Sequence, residues 1–334
     1  MSPEPLRVQI TRFAPDDPAA LAAAMQESLE GIRIGRWLRP DSRVFIKPNF
    51  TYPFPKAGVT TTPAVIEALV SVLRQTTRRI TLVESNGGAN AWQAEEAFAG
   101  HGIPDLAARY GVEALNLTNS PRETASTGIA GREVSVELSS RMLHESDLFL
   151  TVPVPKVHVM TGLSLGFKNQ WGCIPDVKRL RNHPDLPHTV LAVNRLLRTR
   201  VAIFDGTWFL DRTGPMDGDP IPMGLLVASD DPGAGSLAVC DVMGVDPWRV
   251  AHKRLARRIG MMPESLAGIV CNRPPAEFRE RTFRLERTGL NYVALAAFRS
   301  RLATWFVWDS MFAKSVHELL YLVRGRPRDM APYW

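Results

Sequence analysis

The sequence predicts an α/β protein: a mostly parallel sheet covered by helices, with a helical C-terminal extension. Two observations support the sheet. Short apolar, β-branched runs end abruptly in polar or turn residues, and helical patterns lie between these runs. A chain that alternates in this way forms an α/β sheet with covering helices. A change of composition near residue 276 predicts the extension.

Five runs have the composition of buried strands, because each is apolar and stops at a polar residue or a turn. In chain order they are RVFIKPN (43–49), RITLVESNGG (79–88), DLFLTVPVPK (147–156), RVAIFDGT (200–207) and GLLVASDD (224–231). Two helical patterns between them carry start signals. DPAALAAAMQESLEGI opens with Asp17 as a cap, and TPAVIEALVSVLRQ has Pro63 in its first turn after Thr62.

From about residue 276 the chain becomes aromatic and arginine-rich with few helix breakers, and we expect two or three helices there. We therefore divide the chain into an α/β ligand-binding domain, residues 1–275, and a helical aromatic-rich extension, residues 276–334. The aromatic side chains around Trp305, with Arg299 and Arg301 beside them, fit two interpretations. They either pack on the main domain, which is the simpler interpretation, or make a peripheral contact with a membrane surface.

Composition restricts the classes of partner. The 334 residues are 45% hydrophobic, enough for a sizeable core, and carry 40 Lys and Arg against 34 Asp and Glu, a net charge of +6. This excess favours acidic ligands. The basic residues are spread along the chain, and no helix-turn-helix, zinc-finger or RNA-binding pattern accompanies them. We expect no nucleic-acid partner.

The three cysteines, Cys173, Cys240 and Cys271, are far apart and odd in number. They suggest neither a disulfide framework nor a Cys-x-x-Cys metal clip, and a reducing compartment fits them best. The first residues do not resemble a signal peptide, and no stretch has the apolar length of a transmembrane helix. The expected location is cytoplasmic.

Polar and charged residues stand at the ends of four predicted strands, where ligands gather in sheets of this class. They are Lys47, Asn49, Glu84, Lys156, His158 and Asp205. A lysine just past a strand suits an anionic ligand. Thr60 and Thr61 precede a helix, where hydroxyls and free backbone N–H groups either bind a carboxylate or phosphate or simply cap the helix.

The segment KVHVMTGLSLGFKNQWGCIPDVKRLRNH, residues 156–183, sustains neither the helical nor the strand period, and this predicts a loop-rich ligand site. Lys156, Lys168 and Lys178 are expected to hold a multiply charged anion and to stabilise charge that develops during a reaction. Cations that converge on one pocket also lower each other's proton affinity, so that one of them can serve as a neutral base.

His158 and His183 fit two roles that their spacing leaves open. They either transfer protons near neutral pH, or they ligate a divalent metal together with Glu84 or Asp205. The catalytic candidates are therefore His158, His183, Glu84 and Asp205, and the same four side chains are the candidate metal ligands.

A family resemblance covers about residues 43 to 260. Taken in order, VFIKPNF, GVTTTP, LVES, PKVHVMTGLSLGFKNQWGCIP, KRLRNH, IFDG, RTGPMDGDP, ASDDP and DVMGVDP resemble the domain-of-unknown-function 362 family. The most specific part is the Lys-x-His, Thr-Gly and Lys-Asn run, which adds Thr161 and Asn169 to the substrate-binding candidates. The resemblance implies an α/β domain without an assigned biochemical role.

Members of that family often carry a ferredoxin-like module with iron-sulfur cysteines. This chain departs from that pattern, because three scattered cysteines cannot build two four-cysteine clusters, and no iron-sulfur cluster is expected. Ser236 stands where the family commonly has an acidic residue. A distant similarity in fold to the nickel-pincer lactate racemases implies proton or hydride chemistry on small carboxylates, as an analogy only.

We therefore expect an enzyme of the isomerase, lyase or cyclase type. It would bind an anionic small molecule that bears a carboxylate or phosphate, and would perform acid–base chemistry with or without a divalent metal. One alternative is a redox enzyme or electron-transfer accessory. Another is a non-catalytic protein that binds a ligand or a membrane surface. The sequence indicates no oligomeric state.

Overall fold

The structure, a computed structural model, describes residues 4–324. In this part of the chain the strands are Arg7–Arg12 (β1), Arg43–Pro48 (β2), Arg79–Glu84 (β3), Glu113–Asn116 (β4), Arg122–Ile129 (β5), Arg132–Ser139 (β6), Leu148–Val152 (β7), Lys156–His158 (β8), Gly162–Ser164 (β9), Val201–Asp211 (β10), Asp219–Ser229 (β11) and Val270–Cys271 (β12). The α-helices are Pro18–Gly31 (α1), Pro63–Leu73 (α2), Ala94–Gly100 (α3), Ile103–Tyr110 (α4), Ser140–Glu145 (α5), Gly166–Asn169 (α6), Leu186–Leu196 (α7), Pro232–Met243 (α8), Ala251–Arg258 (α9), Gly289–Arg299 (α10), Arg301–Trp308 (α11) and Ala313–Arg324 (α12).

The main sheet is mixed and mostly parallel, as the sequence predicts. Its strand order is β12-β1-β11-β10-β7-β2-β3-β4, with β8 paired to β10 and to β9 beside this path. The pairs from β10 through β7, β2 and β3 to β4 are parallel. Since parallel strands end at the same edge, the residues that follow β2, β3 and β7 lie side by side there. β5 and β6 form a separate antiparallel hairpin.

The central strands are buried on both faces. In β2, Val44 and Ile46 enter an apolar layer that includes Met25 of α1, while Phe45 enters a second layer on the opposite face that includes Val190 of α7. Strands covered by helices on both sides have no polar face. This explains why they are continuous apolar runs in the sequence.

The two predicted helix starts are confirmed. The Asp17 carboxylate accepts hydrogen bonds from the backbone N–H groups of Ala19 and Ala20 at the start of α1. Thr62 is the N-cap of α2, with Pro63 in the first turn.

The fifth predicted strand lies in β11, and it is antiparallel to both of its neighbours, β10 and β1. The glycine- and proline-rich residues 205–224 mostly belong to the two arms of the β10–β11 hairpin. β11 tolerates Pro220 and Pro222 because β1 pairs only with residues 225–229, so the first half of β11 is an edge.

The extension forms three helices in the described part of the chain, α10 to α12. Ser300 ends α10 and also begins α11, where its hydroxyl accepts a hydrogen bond from the Ala303 N–H. Within residues 4–324 no helix has the length and apolar character needed to cross a bilayer.

Candidate functional site

A buried ion pair lies where β2 and β3 end. The Lys47 ammonium donates to Glu84 Oε2 and to the Pro48 carbonyl, each at 2.7 Å. Only 2% of the Lys47 side chain and 5% of the Glu84 side chain are exposed. Burial raises the pKa of Glu84, and the charge of Lys47 counteracts this by stabilising the carboxylate. Lys47 is therefore neutralised by the protein itself.

Asn169 and Asn49 connect the loops around this pair. The Asn169 side-chain amide donates to the Lys47 carbonyl at 3.0 Å and to Thr151 Oγ1 at 2.8 Å. The Asn49 N–H donates to Thr61 Oγ1, and this hydroxyl donates in turn to the Val152 carbonyl. The hydrogen-bonding groups of these predicted substrate-binding residues are therefore engaged with other parts of the protein.

Asp205 occupies the start of α2, where the sequence leaves open either an anionic ligand or a helix cap. Its carboxylate accepts hydrogen bonds from the Thr62 N–H at 2.6 Å, the Thr207 N–H at 3.0 Å and the Thr207 hydroxyl at 2.6 Å. A carboxylate is favoured there because the first N–H groups of a helix point outward. Burial raises the pKa of Asp205, and these hydrogen bonds oppose the increase. Nearby, Thr60 Oγ1 accepts from the Lys56 N–H.

Five basic side chains from four elements form a second group, which we call the cationic cluster. Its members are Lys156 and His158 of β8, Lys168 of α6, His183 of the 3₁₀ helix Arg179–Asp185, and His252 of α9. Lys168 is the common neighbour, because its charge lowers the pKa of each of the other four side chains.

Desolvation is the largest cause of the pKa shift of every member. The pKa of Lys156 falls to about 7, that of Lys168 to about 8 and that of His183 to about 4. The pKa values of His158 and His252 fall well below 6.5. At neutral pH the three imidazoles are therefore uncharged, and the two lysines are close to their titration points.

Hydrogen bonds assign different tautomers to His158 and His183. His158 Nδ1 accepts from the Met160 N–H at 3.1 Å, so the neutral ring carries its proton on Nε2. His183 Nδ1 lies 2.7 Å from the Leu180 carbonyl, which can only accept, so this ring carries its proton on Nδ1 and has a lone pair on Nε2. His158 thus offers a donor, and His183 an acceptor.

Lys168 and His252 have free polar groups. Lys168 is partly buried and lies over the Trp171 ring, with its amine 6.0 Å from the ring centroid. Within residues 4–324 its amine has no hydrogen bond or ion pair, and the His252 ring, 2% exposed, also has none. Lys156 differs, since its amine donates to the Val59 carbonyl.

The extension covers this cluster. The Phe298 ring packs on His183 with the ring centroids 4.6 Å apart, and Arg287 Nε donates to the Val159 carbonyl at 2.6 Å. Lys178 lies outside the cluster: it is exposed, and its amine donates to the Trp308 carbonyl. Thr161 Oγ1 donates to the Leu163 carbonyl.

The candidate metal ligands do not converge. In the part of the chain that the structure describes, no three His, Cys, Asp or Glu side chains are grouped so that they could hold a metal ion. Glu84 is held by Lys47, and Asp205 by the start of α2. Cys173 is buried, which raises the pKa of its thiol to about 12 and keeps it protonated.

Two surface cavities lie elsewhere. One, of about 480 Å³, is lined by residues 126–128 and 131–133 of the β5–β6 hairpin, and the other, of about 310 Å³, lies near Arg43 and Arg79 at the starts of β2 and β3. Neither cavity is lined by a member of the cationic cluster.

Sequence reasoning missed His252. It reaches the cluster from α9, in the segment AHKRLARR, whose charge pattern is typical of an exposed helix. α9 packs against α7, which also contacts α6, and the charge of Lys168 on α6 lowers the pKa of this histidine. No local signal in the sequence marks it.

Comparison with known proteins gives the following similarities. A family model described as a domain of unknown function, DUF362, matches residues 44–241. A thylakoid-associated protein of Synechocystis sp. is 23% identical over 265 residues, which are 77% of this chain and 80% of that protein. A crystal structure of a Thermotoga maritima protein aligns at 13% identity with a TM-score of 0.37, over 65% of this chain and 56% of that one, which is too little to support an argument. Because the family model spans more than half of the 334 residues, the chain belongs to the DUF362 family, whose function is unknown.

Proposed function

We propose that this protein is an enzyme that binds an anionic small molecule, bearing a carboxylate or a phosphate, in the cationic cluster and performs acid–base chemistry on it. The reaction class is isomerisation, elimination or cyclisation, and the reducing cytoplasm is its expected location. The observation that carries the proposal is the position of Lys168. Its ammonium has no counter-ion in residues 4–324 and is the shared neighbour of the other four cluster members.

Binding follows from the cost of leaving such a cation uncompensated. A partly buried ammonium without a hydrogen-bond acceptor or counter-ion loses part of its hydration, and the Trp171 ring at 6.0 Å returns only a small part of that free energy. A carboxylate or phosphate beside Lys168 supplies the missing charge. The Nε2–H of His158 gives the anion a second donor, and this donor is neutral at pH 7.

Proton transfer is assigned to His183. Its Nδ1–H is held by the Leu180 carbonyl, which leaves the Nε2 lone pair to accept a proton from the substrate. The low pKa of about 4 makes the free imidazole a weak base. A bound anion raises that pKa toward neutrality, because the imidazolium then has a negative neighbour. Lys168 stabilises negative charge that develops on the substrate.

The test combines binding with proton exchange. Purified protein is titrated by calorimetry with inorganic phosphate and with short 2-hydroxy and 2-oxo carboxylates. Exchange of the carbon-bound hydrogens of these carboxylates with D₂O is followed by NMR. Lys168→Met is expected to abolish binding. His183→Asn, whose amide can still donate to the Leu180 carbonyl, is expected to bind the anion and to lose exchange.

Lys178→Met is the matched control, because Lys178 is exposed and outside the cluster. The proposal fails if Lys168→Met and Lys178→Met have equal effects, or if His183→Asn exchanges at the wild-type rate. The same assay distinguishes the proposal from a redox enzyme. Hydrogen exchange by a colourless protein without added cofactor supports acid–base chemistry. A strict requirement for a flavin or a reduced ferredoxin contradicts acid–base chemistry.

A further inference from the structure

The extension exposes a group of large apolar side chains, which we call the outer patch. Its members and their exposed fractions are Leu302 75%, Trp305 54%, Phe306 43%, Met311 89% and Phe312 53%. Isolated exposed apolar residues are common, but clustered ones mark a site of interaction. The ring centroids of Phe306 and Phe312 are 6.2 Å apart, so the turn after α11 extends the apolar surface of that helix.

Packing within residues 4–324 does not account for the outer patch. The inner face of α11 is formed by Thr304 and Trp308, which are 4% and 6% exposed. Leu302, Trp305 and Phe306 follow the spacing i, i+3, i+4 and share a different face. A helix that is apolar on two faces needs a partner for each of them.

The charge around the outer patch identifies the kind of partner. Arg299 and Lys314 are exposed, and neither has an ion pair in the described residues. Arg301 pairs with Asp185 at 2.9 Å but keeps 71% of its side chain exposed. Glu318 of α12 is an exposed acid in the same region. Cations beside tryptophan and phenylalanine are typical of protein surfaces that enter the headgroup region of an anionic bilayer.

We propose that the outer patch docks onto an anionic lipid surface. Trp305, Phe306, Met311 and Phe312 enter the boundary between headgroups and acyl chains. Arg299 and Lys314 contact acidic headgroups. In this arrangement the outer patch lies on the surface of the membrane.

The experiment is co-sedimentation of the full-length protein with phosphatidylcholine vesicles, with and without phosphatidylglycerol. The protein is expected to sediment with the anionic vesicles and much less with neutral ones, and added salt is expected to release it, because salt screens the attraction to the headgroups. The patch variant Trp305→Ser/Phe312→Ser is expected to bind about tenfold more weakly or worse, since two aromatic side chains no longer enter the bilayer. The charge variant Arg299→Glu/Lys314→Glu is expected to lose the preference for anionic lipid.

The matched control is Phe54→Ser/Val270→Ser, which removes two large apolar side chains that are 44% and 41% exposed elsewhere on the surface. It is expected to bind like the wild type, and circular dichroism verifies that each variant is folded. Equal binding by the patch variant and the control, or no binding of the wild type to anionic vesicles, overturns the proposal. Light scattering gives a further contrary outcome: a dimer that the patch variant converts to a monomer would assign the outer patch to a second copy of the chain.

Discussion

Among single residues, Lys168 has the least compensated charge of the cationic cluster. Lys156 donates to a carbonyl and Lys47 is paired with Glu84, whereas the Lys168 amine has no such partner in residues 4–324. Its pKa of about 8 follows from desolvation, with a smaller contribution from Arg179. The affinity for an anion that binds through this amine should therefore depend on pH.

We expect the affinity for phosphate or a carboxylate to decrease as the pH rises through about 8. The ammonium form, which binds the anion, is present below the pKa of Lys168 and is lost above it. Calorimetric titrations between about pH 6 and 10 measure this decrease. Lys168→Arg, which stays protonated over that range, is expected to flatten the profile. An affinity that stays constant up to pH 10 in the wild type contradicts the assignment.

The buried Lys47–Glu84 pair gives a prediction about stability. Lys47→Met leaves the Glu84 carboxylate buried without its cation, and we expect a loss of about 3–5 kcal/mol in the free energy of unfolding. The double variant Lys47→Met/Glu84→Leu is expected to regain part of this loss, because the unpaired buried carboxylate is removed. The recovery is incomplete, because the buried Arg179 loses the charge of Glu84 and the N–H groups of Phe50 and Ser85 lose their acceptor. Urea unfolding measures both.

Lys56 provides the control for this pair. Its ion pair with Asp217 is longer, 3.2 Å, and 40% of the Lys56 side chain and 87% of the Asp217 side chain are exposed. Lys56→Met should therefore change the free energy of unfolding by less than about 1 kcal/mol. Similar losses for Lys47→Met and Lys56→Met would show that burial does not determine the strength of this pair.

At the scale of elements, the sequence predicts the central strands well because burial on both faces leaves a continuous apolar run. It predicts the starts of α1 and α2 because Asp17 and Pro63 are local signals. It does not indicate that β11 is antiparallel to its neighbours, because residues 208–222, which join the two predicted strands into a hairpin, are rich in glycine and proline and lack a strand pattern. Nor does it indicate that Asp205 caps α2, because the contact joins residues 143 positions apart.

This long-range cap predicts a stability effect. Asp205→Ala leaves the Thr62 N–H and both Thr207 donors without their acceptor, and we expect a loss of about 3 kcal/mol in the free energy of unfolding. Asp17→Ala at α1 is the control, because that cap is exposed and a typical N-cap contributes about 1 kcal/mol. Thermal unfolding of the two variants compares them. An equal decrease in Tm would mean that the buried hydrogen bonds of Asp205 contribute no more than those of an exposed cap.

At the scale of the whole molecule, some residues of the cationic cluster could be predicted from the sequence and others could not. Lys156, His158 and Lys168 lie in one segment, residues 156–183, whose sequence alone predicts a ligand site. His252 and Phe298 come from helices whose sequences resemble ordinary packing elements. Their convergence depends on how α9 packs on α7 and how α10 packs on the 3₁₀ helix Arg179–Asp185. These contacts join distant parts of the chain, so no local pattern predicts them.

Burial of histidines also contributes to the way the whole protein responds to acid. The pKa values of His101 and His183 in the folded state are about 4, below the ordinary 6.5. The pKa values of His158 and His252 are also well below 6.5. Between about pH 4 and 6.5 the unfolded chain therefore binds more protons at these sites, so their contribution to stability is present above pH 6.5 and is lost as the pH falls. Asp231 acts in the opposite direction, because its pKa is raised to about 6.

His101 isolates this effect away from the candidate site. It lies 2% exposed beneath Phe50, with the ring centroids 4.0 Å apart, and desolvation is the main cause of its low pKa. Phe in this position keeps the stacked ring and removes the titration. We expect the Tm of His101→Phe, relative to wild type, to become more favourable as the pH falls from about 7 to 4. Phe98→Leu, a buried substitution beside Phe50 that removes no titratable group, is the control and should change the Tm by a similar amount at both pH values. A His101→Phe difference that is the same at pH 7 and pH 4 would mean that this buried histidine does not contribute to acid unfolding.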